Sequence, residues 1–205
     1  MRRTGWGDLE RALGLRPPVR LDAGAASKAA VALTFREGPA GLELLFIHRA
    51  EHPQDPWSGQ MAFPGGRSEQ VDAGLERTAI RETTEEIGID LARAGRPLGS
   101  LDETRAMSRM RPLDLSITPF VFRLIEAPEM ALSPEVTSVH WIPLDDLLGS
   151  GYRELMDYWH DGQRLAFPCF RIQGKTIWGL TYRMFSALQE TLAGEATAAD
   201  HAGGA

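Results

Sequence analysis

Apolar residues gather in short runs that are bounded by turn-forming residues, a pattern typical of β-strands. The clearest runs are residues 29–35 and 42–47, and Gly38-Pro39-Ala40-Gly41 between them predicts a hairpin turn. Shorter runs predict strands at residues 60–63, 98–101, 116–124, 138–142 and 164–172. Because Pro168 has no N–H to donate, we expect the last of these strands at a sheet edge.

Helices are predicted where apolar residues recur every three or four positions. The first long helix covers residues 73–87, with Asp72 as its N-cap and Gly88 as a left-handed stop. An amphipathic helix covers residues 177–192, shorter helices cover 7–13 and 143–148, and loops are predicted at 49–58 and 107–114. Strands mixed with two substantial helices predict an α/β sandwich around a mixed β-sheet.

The chain divides into three predicted segments. Residues 1–27 hold the first short helix and a flexible lead-in rich in Ala and Gly, and residues 28–193 form one folded domain. Residues 194–205 are expected to be a disordered tail. No apolar run approaches the roughly 20 residues that a transmembrane helix needs, so we expect no membrane span or anchor.

Net charge and cysteine content limit the class of partner and the compartment that we expect. The net charge of −6 argues against a nucleic-acid binder, because such proteins usually present basic patches. The N-terminus lacks the apolar stretch of a signal peptide, and the single Cys169 can form no internal disulfide. We therefore expect a cytoplasmic protein, in which Cys169 is a small buried residue.

An acidic cluster lies on the first long helix. Glu82, Glu85 and Glu86 are three and four residues apart, so they project within about 100° of arc. Like charges at this spacing repel, and Mg²⁺ takes carboxylates together with substrate phosphates and waters. The cluster therefore predicts a site for Mg²⁺ or Mn²⁺. The alternative is a solvated helix face on which Arg81 pairs with Glu85.

The segment around this helix resembles the Nudix box. That pattern is Gly, five residues, Glu, seven residues, then Arg-Glu-aliphatic-x-Glu-Glu-x-Gly-aliphatic. Its second half is matched by Arg81, Glu82, Glu85, Glu86, Gly88 and Ile89. The resemblance implies a Nudix-like α/β/α sandwich and an enzyme that hydrolyses a phosphoanhydride in a nucleoside diphosphate linked to another group, with Mg²⁺ or Mn²⁺ as cofactor.

The first half of the box is irregular. Counting back from Arg81 puts Ala73 where the family has its first Glu, whereas Gly66, five residues and Asp72 restore an acidic match if one residue is inserted. This longer loop and the stretches 59–66 and 177–181 resemble the coenzyme A pyrophosphatase branch. That branch usually carries an Arg and a His before the Gly-Gln pair, where this chain has residues 54–58, Gln-Asp-Pro-Trp-Ser.

The resemblance also implies roles for individual residues. Glu82, Glu85 and Glu86 would bind the metal, with the main-chain carbonyl of Gly66 as a further ligand. The implied catalytic set is Glu82, Arg81 and Glu85, in which Arg81 orients Glu82 by charge-assisted hydrogen bonds.

Other residues are candidates without a fixed place in the box. For the general base, Glu82 comes first, and the downstream alternatives are Asp102, Glu103 and Glu135. The predicted substrate-binding residues are Arg49 and Arg67 for phosphates and Trp57 for stacking on adenine; Arg109 and Arg111 are further candidates. Structural roles are expected for His140 and Trp141.

Several substrates fit this reading. The leading one is coenzyme A or a derivative, cleaved to 3′,5′-ADP and 4′-phosphopantetheine; NADH, ADP-ribose, dinucleoside polyphosphates and nucleoside triphosphates are alternatives. A related isomerase would need a catalytic cysteine near the box, and Cys169 lies far downstream. A non-catalytic nucleotide-binding module is the alternative of another class. We expect a small-molecule nucleotide as partner, no nucleic acid or membrane, and a homodimer.

Overall fold

A computed structural model describes residues 3–21, 27–53, 57–108, 111–126 and 128–202, with side chains except at 107–112, 150 and 195–202. The helices are α1 (Trp6–Gly14), α2 (Leu75–Ile87), α3 (Leu91–Ala94), α4 (Leu144–Leu148) and α5 (Gly179–Ala202). The strands are β1 (Ser27–Gly38), β2 (Gly41–Arg49), β3 (Met61–Ala62), β4 (Gly65–Arg67), β5 (Gly95–Ser100), β6 (Thr104–Ser108), β7 (Arg111–Leu124), β8 (Val136–Pro143), β9 (Arg153–His160), β10 (Gln163–Ile172) and β11 (Lys175–Trp178).

Strand β1 is the centre of the larger sheet. In the described residues that sheet has the order β3-β2-β1-β7-β5, and β4 pairs with β1, β6 with β7 and β8 with β2. The β1–β7 pairing is parallel, and the other pairings are antiparallel. The predicted mixed sheet is therefore confirmed, as is the predicted hairpin between β1 and β2.

Alternate residues of β1 enter two hydrophobic clusters on opposite faces of the sheet. Leu33 and Phe35 lie in the cluster that also holds buried residues of α1 and α5. Ala30 and Ala32 lie in the cluster that holds buried residues of α2 and α3. Helices thus cover both faces, which confirms the α/β/α sandwich. No helix in the described part of the chain is long and apolar enough to cross a bilayer.

The smaller sheet has the order β11-β10-β9, and its strand β9 was not predicted. Strand β10 is central, so the expected edge position of the strand that carries Pro168 is wrong. However, β11 pairs only with Cys169–Ile172 of β10, so Pro168 has a strand partner on one side alone, Leu155 of β9. The missing N–H of proline is tolerated there because the second neighbour has already ended.

Three other predictions need correction. Helix α2 begins at Leu75 with Gly74 as its N-cap, so Asp72 is not the cap. Residues 107–114 lie mostly in the β6–β7 hairpin, which forms because β7 extends as far as Arg111 and supplies partners to β6. Residues Ile177 and Trp178 lie in β11, not in a helix.

The first and last helices of the described residues pack on the same face of the sheet. Helix α1 buries Leu9 and Ala12 in the same cluster as Phe185 of α5. The backbone of α5 runs to Ala202, past residue 193, where we predicted the end of the folded domain. The lead-in at residues 22–26 lies outside the described residues.

Candidate active site

The site is built around two adjacent glycines of β4. Gly65 has a φ of 153°, and a Cβ there would overlap the main-chain oxygen of Ala30 in the neighbouring strand β1. A Cβ at Gly66 would overlap the carboxylate of Glu82. Both positions therefore require glycine so that strand β1 and helix α2 can approach the loop.

Helix α2 presents its three acidic residues to different surroundings. The side chains of Glu86 and Glu82 are 5% and 17% exposed and face the glycine strand, whereas that of Glu85 is 57% exposed. The N–H of Gly65 donates to Glu86 Oε2 at 2.9 Å. The structure therefore brings Glu82 and Glu86 together at the loop and leaves Glu85 on the outer side of the predicted cluster.

Arg81 connects the loop to the helix. Its Nη1 lies 3.0 Å from Glu82 Oε1 and 2.9 Å from Glu85 Oε2, and its Nη2 donates to the main-chain oxygen of Arg67 at 3.0 Å. The predicted contact with Glu82 and the alternative pair with Glu85 both occur. Arg81 thus orients the acidic helix face and also holds the end of β4.

Asp72 holds Arg81 in turn. Its carboxylate accepts from Arg81 Nε at 3.0 Å and Nη2 at 3.1 Å, and from the hydroxyl of Thr78 at 2.9 Å. These bonds, first of all those of Arg81, hold the pKa of Asp72 well below its usual range. Asp72 therefore anchors Arg81 from the loop that precedes helix α2.

The surroundings of Glu82 and Glu86 disfavour negative charge on both side chains. Burial raises the pKa of Glu86 to about 7, although the Gly65 N–H and Arg49 act in the opposite direction. Burial also raises the pKa of Glu82 against the effect of Arg81. A cation beside these two carboxylates would relieve the cost of burying their charge.

A divalent metal fits this donor set. Within the described residues, no three His, Cys, Asp or Glu side chains converge into a preassembled metal cage. Mg²⁺ does not need one, because it usually takes one or two carboxylates and completes its shell with waters and substrate phosphates. Glu82 and Glu86 are hard oxygen donors beside the glycine strand, and the missing side chain of Gly66 leaves room for the Glu82 carboxylate.

Glu135 is a further carboxylate at this site. Its negative charge raises the pKa of both Glu82 and Glu86. The segment that carries it closes the end of α2, since the N–H groups of Ala131 and Ser133 donate to the main-chain oxygens of Ile87 and Glu86 at 3.0 Å and 2.9 Å. Glu135 thus keeps its place among the candidates for the general base.

The other two candidates for the base are engaged elsewhere. Asp102 accepts two hydrogen bonds from Arg16 at 2.8 Å and 2.6 Å. Glu103 accepts from the hydroxyl of Thr118 at 3.1 Å and from the N–H of Leu21 at 2.9 Å. Both carboxylates tie the N-terminal segment to the sheet, so we assign them structural roles.

A cavity of about 240 Å³ opens beside the glycine strand. All three predicted substrate-binding residues, Arg49, Trp57 and Arg67, line it. Arg49 Nη1 also lies 3.5 Å from Glu86 Oε1, which places a positive charge between the cavity and the acidic helix. The rest of the wall is largely apolar and was not predicted; it includes Val31, Phe63, Leu115, Ile117, Leu180 and Met184.

Of the remaining predicted residues, His140, Trp141 and Cys169 are not among the residues that line the cavity. Arg109 is outside the described residues, and only the backbone of Arg111 is described. His140 contacts the hydroxyl of Ser138 at 2.8 Å, and Arg36 lies 4.1 Å from the ring centroid of Trp141. Cys169 is fully buried, as predicted.

Comparison with known proteins agrees with the resemblance to the Nudix box. A model of the NUDIX domain matches residues 26–162. The uncharacterized protein C14C4.10c of Schizosaccharomyces pombe is 42% identical over 108 residues, which are 51% of this chain and 33% of that protein. The uncharacterized Nudix hydrolase NudL of Yersinia pestis is 30% identical over 144 residues, 67% of this chain and 66% of that protein.

The chain therefore spans about a third of the yeast relative and about two thirds of the Yersinia relative. Among solved structures, a MutT/nudix family protein from Enterococcus faecalis superposes with a TM-score of 0.51 at 13% identity, over 91% of this chain and 68% of that one. This likeness concerns the fold.

Proposed function

This chain belongs to the NUDIX domain family, and we propose that it is a metal-dependent hydrolase of a phosphoanhydride bond in a nucleoside diphosphate linked to another group. The observation that carries the proposal is the position of Glu82 and Glu86. Both carboxylates are largely buried, and both lie beside Gly65 and Gly66, which line a cavity together with Arg49 and Arg67.

Each residue of the site has a defined task in this proposal. Glu82 and Glu86 would hold Mg²⁺ or Mn²⁺ with the carbonyl of Gly66, and Glu85 would join them from the outer side. Bound there, the metal supplies positive charge to the phosphate oxygens on which negative charge grows. Arg81, anchored by Asp72, keeps Glu82 pointed at the loop.

The reaction consumes one water molecule. The water oxygen bonds to one phosphorus, the bridging P–O bond breaks, and the bridging oxygen leaves with the bonding electron pair as part of the second phosphate. A carboxylate must accept the proton from the water. Glu82 is our first choice for this base, and Glu135 is the alternative because its charge acts on both Glu82 and Glu86.

We further propose coenzyme A or a derivative as the substrate, cleaved to 3′,5′-ADP and 4′-phosphopantetheine. The apolar wall of the cavity supports this choice. The hydroxyl of Thr181 is already bonded to the main-chain oxygen of Met61 at 2.9 Å, so it adds little polarity. A flexible, weakly polar arm fits such a wall better than the hydroxyl-rich second ribose of ADP-ribose, which would lose hydrogen bonds to water.

Product analysis tests the proposal. The protein is incubated with Mg²⁺ and, separately, with coenzyme A, NADH, ADP-ribose, a dinucleoside polyphosphate and nucleoside triphosphates, and the products are separated by chromatography. Fastest release of 3′,5′-ADP and phosphopantetheine supports coenzyme A. Faster cleavage of another compound would support the hydrolase activity and identify that compound, in place of coenzyme A, as the preferred substrate. If the protein binds a nucleotide without cleaving any compound, it is a nucleotide-binding module and the proposal is wrong.

A further inference from the structure

Strand β9 is the edge strand of the smaller sheet. Its residues Arg153–His160 pair with β10, and no strand in the described part of the chain pairs with its other edge. Eight residues of strand extend over about 27 Å, at roughly 3.4 Å per residue. An unpaired edge of this length presents N–H and C=O groups that can pair with a strand of another molecule.

One face of β9 carries two large apolar side chains that are open to solvent. Leu155 is 70% exposed and Trp159 is 67% exposed, and the even spacing between them puts both on the same face of the strand. On the opposite face, Tyr158 packs at 5.8 Å from Phe167 and 5.2 Å from Trp178, measured between ring centroids. The strand therefore combines a free edge with two uncovered large apolar side chains.

We propose that β9 pairs antiparallel with β9 of a second copy of this chain, about a twofold axis at Asp157. In this register Leu155 stands opposite Trp159 of the second copy, and Glu154 stands opposite His160. The twofold axis repeats both pairs, so two Leu–Trp contacts form along one strand pair, and each Glu154, which also pairs with Arg171 of its own chain at 2.9 Å, faces His160 of the other copy. Such self-complementarity is what a symmetric interface requires.

The neighbouring registers do not bring Leu155 opposite Trp159. Centring the pair on Met156 would place Leu155 opposite Asp157, and centring it on Tyr158 would place Trp159 opposite Asp157. A shift by one residue would put Leu155 and Trp159 of the two copies on opposite faces of the joined sheet. The Asp157 register alone among these matches apolar with apolar.

The axis itself is electrostatically balanced. Two Asp157 carboxylates meet there, but each accepts hydrogen bonds from Arg164 of its own chain at 2.8 Å and 2.8 Å. Two guanidinium groups therefore accompany the two carboxylates, and the four charges sum to zero. A single strand pair buries less than the roughly 800 Å² per partner of a standard interface, so the dimer should dissociate on dilution.

Sedimentation velocity over a range of protein concentrations tests the interface. We expect the wild type to shift from monomer to dimer with concentration, and Leu155→Lys to remain monomeric through the same range. Val71→Lys is the matched control, because Val71 is a 79% exposed apolar residue outside the strand. A wild type that stays monomeric, or a Leu155→Lys variant that dimerises as well as Val71→Lys, overturns the proposal.

Variants of opposite charge test whether the partner of β9 is a second copy of this chain. We expect Leu155→Lys/Trp159→Lys and Leu155→Glu/Trp159→Glu chains each to be monomeric alone and to form a heterodimer when they are mixed. Both positions are exposed, and neither lines the cavity. Failure of the mixture to form any dimer contradicts pairing between two β9 strands.

Cross-linking tests the register. Asp157→Cys would stand opposite itself and form an intermolecular disulfide under mild oxidation, whereas Leu155→Cys would lie about 14 Å from its own copy, four residues away at roughly 3.4 Å each. The native Cys169 is fully buried and does not interfere. Cross-linking of Leu155→Cys without that of Asp157→Cys would rule out the proposed axis.

Discussion

Asp72 and Arg81 are joined by two hydrogen bonds, from Nε to Oδ1 at 3.0 Å and from Nη2 to Oδ2 at 3.1 Å. Asp72 lies in the loop before helix α2, and Arg81 lies in the middle of the helix. The pair fixes the guanidinium whose remaining nitrogen contacts Glu82 and Glu85. A residue outside the helix thus controls how the helix presents its carboxylates.

Replacement of Asp72 by Asn should reduce stability in a pH-dependent way. At neutral pH we expect a loss of about 2 kcal/mol in the free energy of unfolding, because Arg81 loses a charged partner. The folded-state pKa of Asp72 is held low, so its contribution is fully present above the unfolded value of about 3.9 and is lost as the pH falls below it.

Urea denaturation of the wild type and Asp72→Asn at pH 7 and pH 3 measures this difference. The separation between the two curves should be smaller at pH 3 than at pH 7, but it should not vanish, because folded Asp72 is still ionised at pH 3. Equal stability of the two proteins at pH 7 would show that the contact with Arg81 contributes nothing.

Gly66→Ala should impair the site more than the fold. The added Cβ would overlap the carboxylate of Glu82, which must then move away from the loop. We expect the affinity for Mg²⁺, measured by titration calorimetry, to fall at least about tenfold, in line with displacement of a ligand-orienting group. Gly151→Ala is the control, since a Cβ there meets no atom within 4 Å. Similar affinities in both variants would count against a metal beside Glu82.

Glu86→Gln should change how stability depends on pH in the presence of a chelator. Burial raises the pKa of Glu86 to about 7, so the wild type is fully stabilised below the unfolded value of about 4.3 and loses stability as the pH rises through 7. Glu86→Gln has no carboxyl group at this position, so it should not lose stability in this way as the pH rises.

The expected gain of Glu86→Gln relative to wild type between pH 4 and pH 8 is on the order of 3 kcal/mol, at 1.36 kcal/mol per pKa unit. Thermal or urea denaturation at both pH values measures it. Glu76→Gln on the exposed side of the same helix is the control. A difference between Glu86→Gln and the wild type that is the same at both pH values would contradict the burial of a charged group at this position.

Trp57→Leu should weaken substrate binding with little effect on chemistry. Trp57 lines the cavity and offers no charged group, so we expect it to contact the part of the substrate that does not react. We expect KM to rise about tenfold, because stacking on a base is worth roughly 1–3 kcal/mol, while kcat stays within about threefold. Steady-state kinetics separates the two parameters. A fall in kcat with KM unchanged would place Trp57 in the chemical step instead.

Local patterns were sufficient to predict the scaffold of the site. The hairpin of β1 and β2, the helix that ends at Gly88 and the box residues Arg81 to Glu86 all follow from spacing within about 25 residues of chain. These patterns did not predict that Glu82 and Glu86 are buried while Glu85 is exposed. Helical spacing puts Glu85 beside Glu82 and Glu86, but only the packing of α2 on the glycine strand buries two of the three.

Features that depend on distant segments were missed. Strand β9 has few β-branched residues, and its pairing with β10 supplies the stability that its local sequence lacks. Asp72 suits an N-cap by composition, and its bond to Arg81 arises because the irregular loop brings the two together. The apolar cavity wall combines side chains of β1, β7 and α5, which no local pattern links.

The central claim is that Glu82 and Glu86 hold a divalent metal that hydrolysis requires. The most direct measurement is kcat/KM at saturating Mg²⁺, for the compound that the wild type cleaves fastest, in the wild type, Glu82→Gln, Glu86→Gln and the control Glu76→Gln. We predict a loss of about 100-fold or more in the first two variants, as expected when metal stabilisation of the transition state is removed, and no more than about twofold in Glu76→Gln. Activity of Glu82→Gln and Glu86→Gln equal to that of Glu76→Gln would contradict the account.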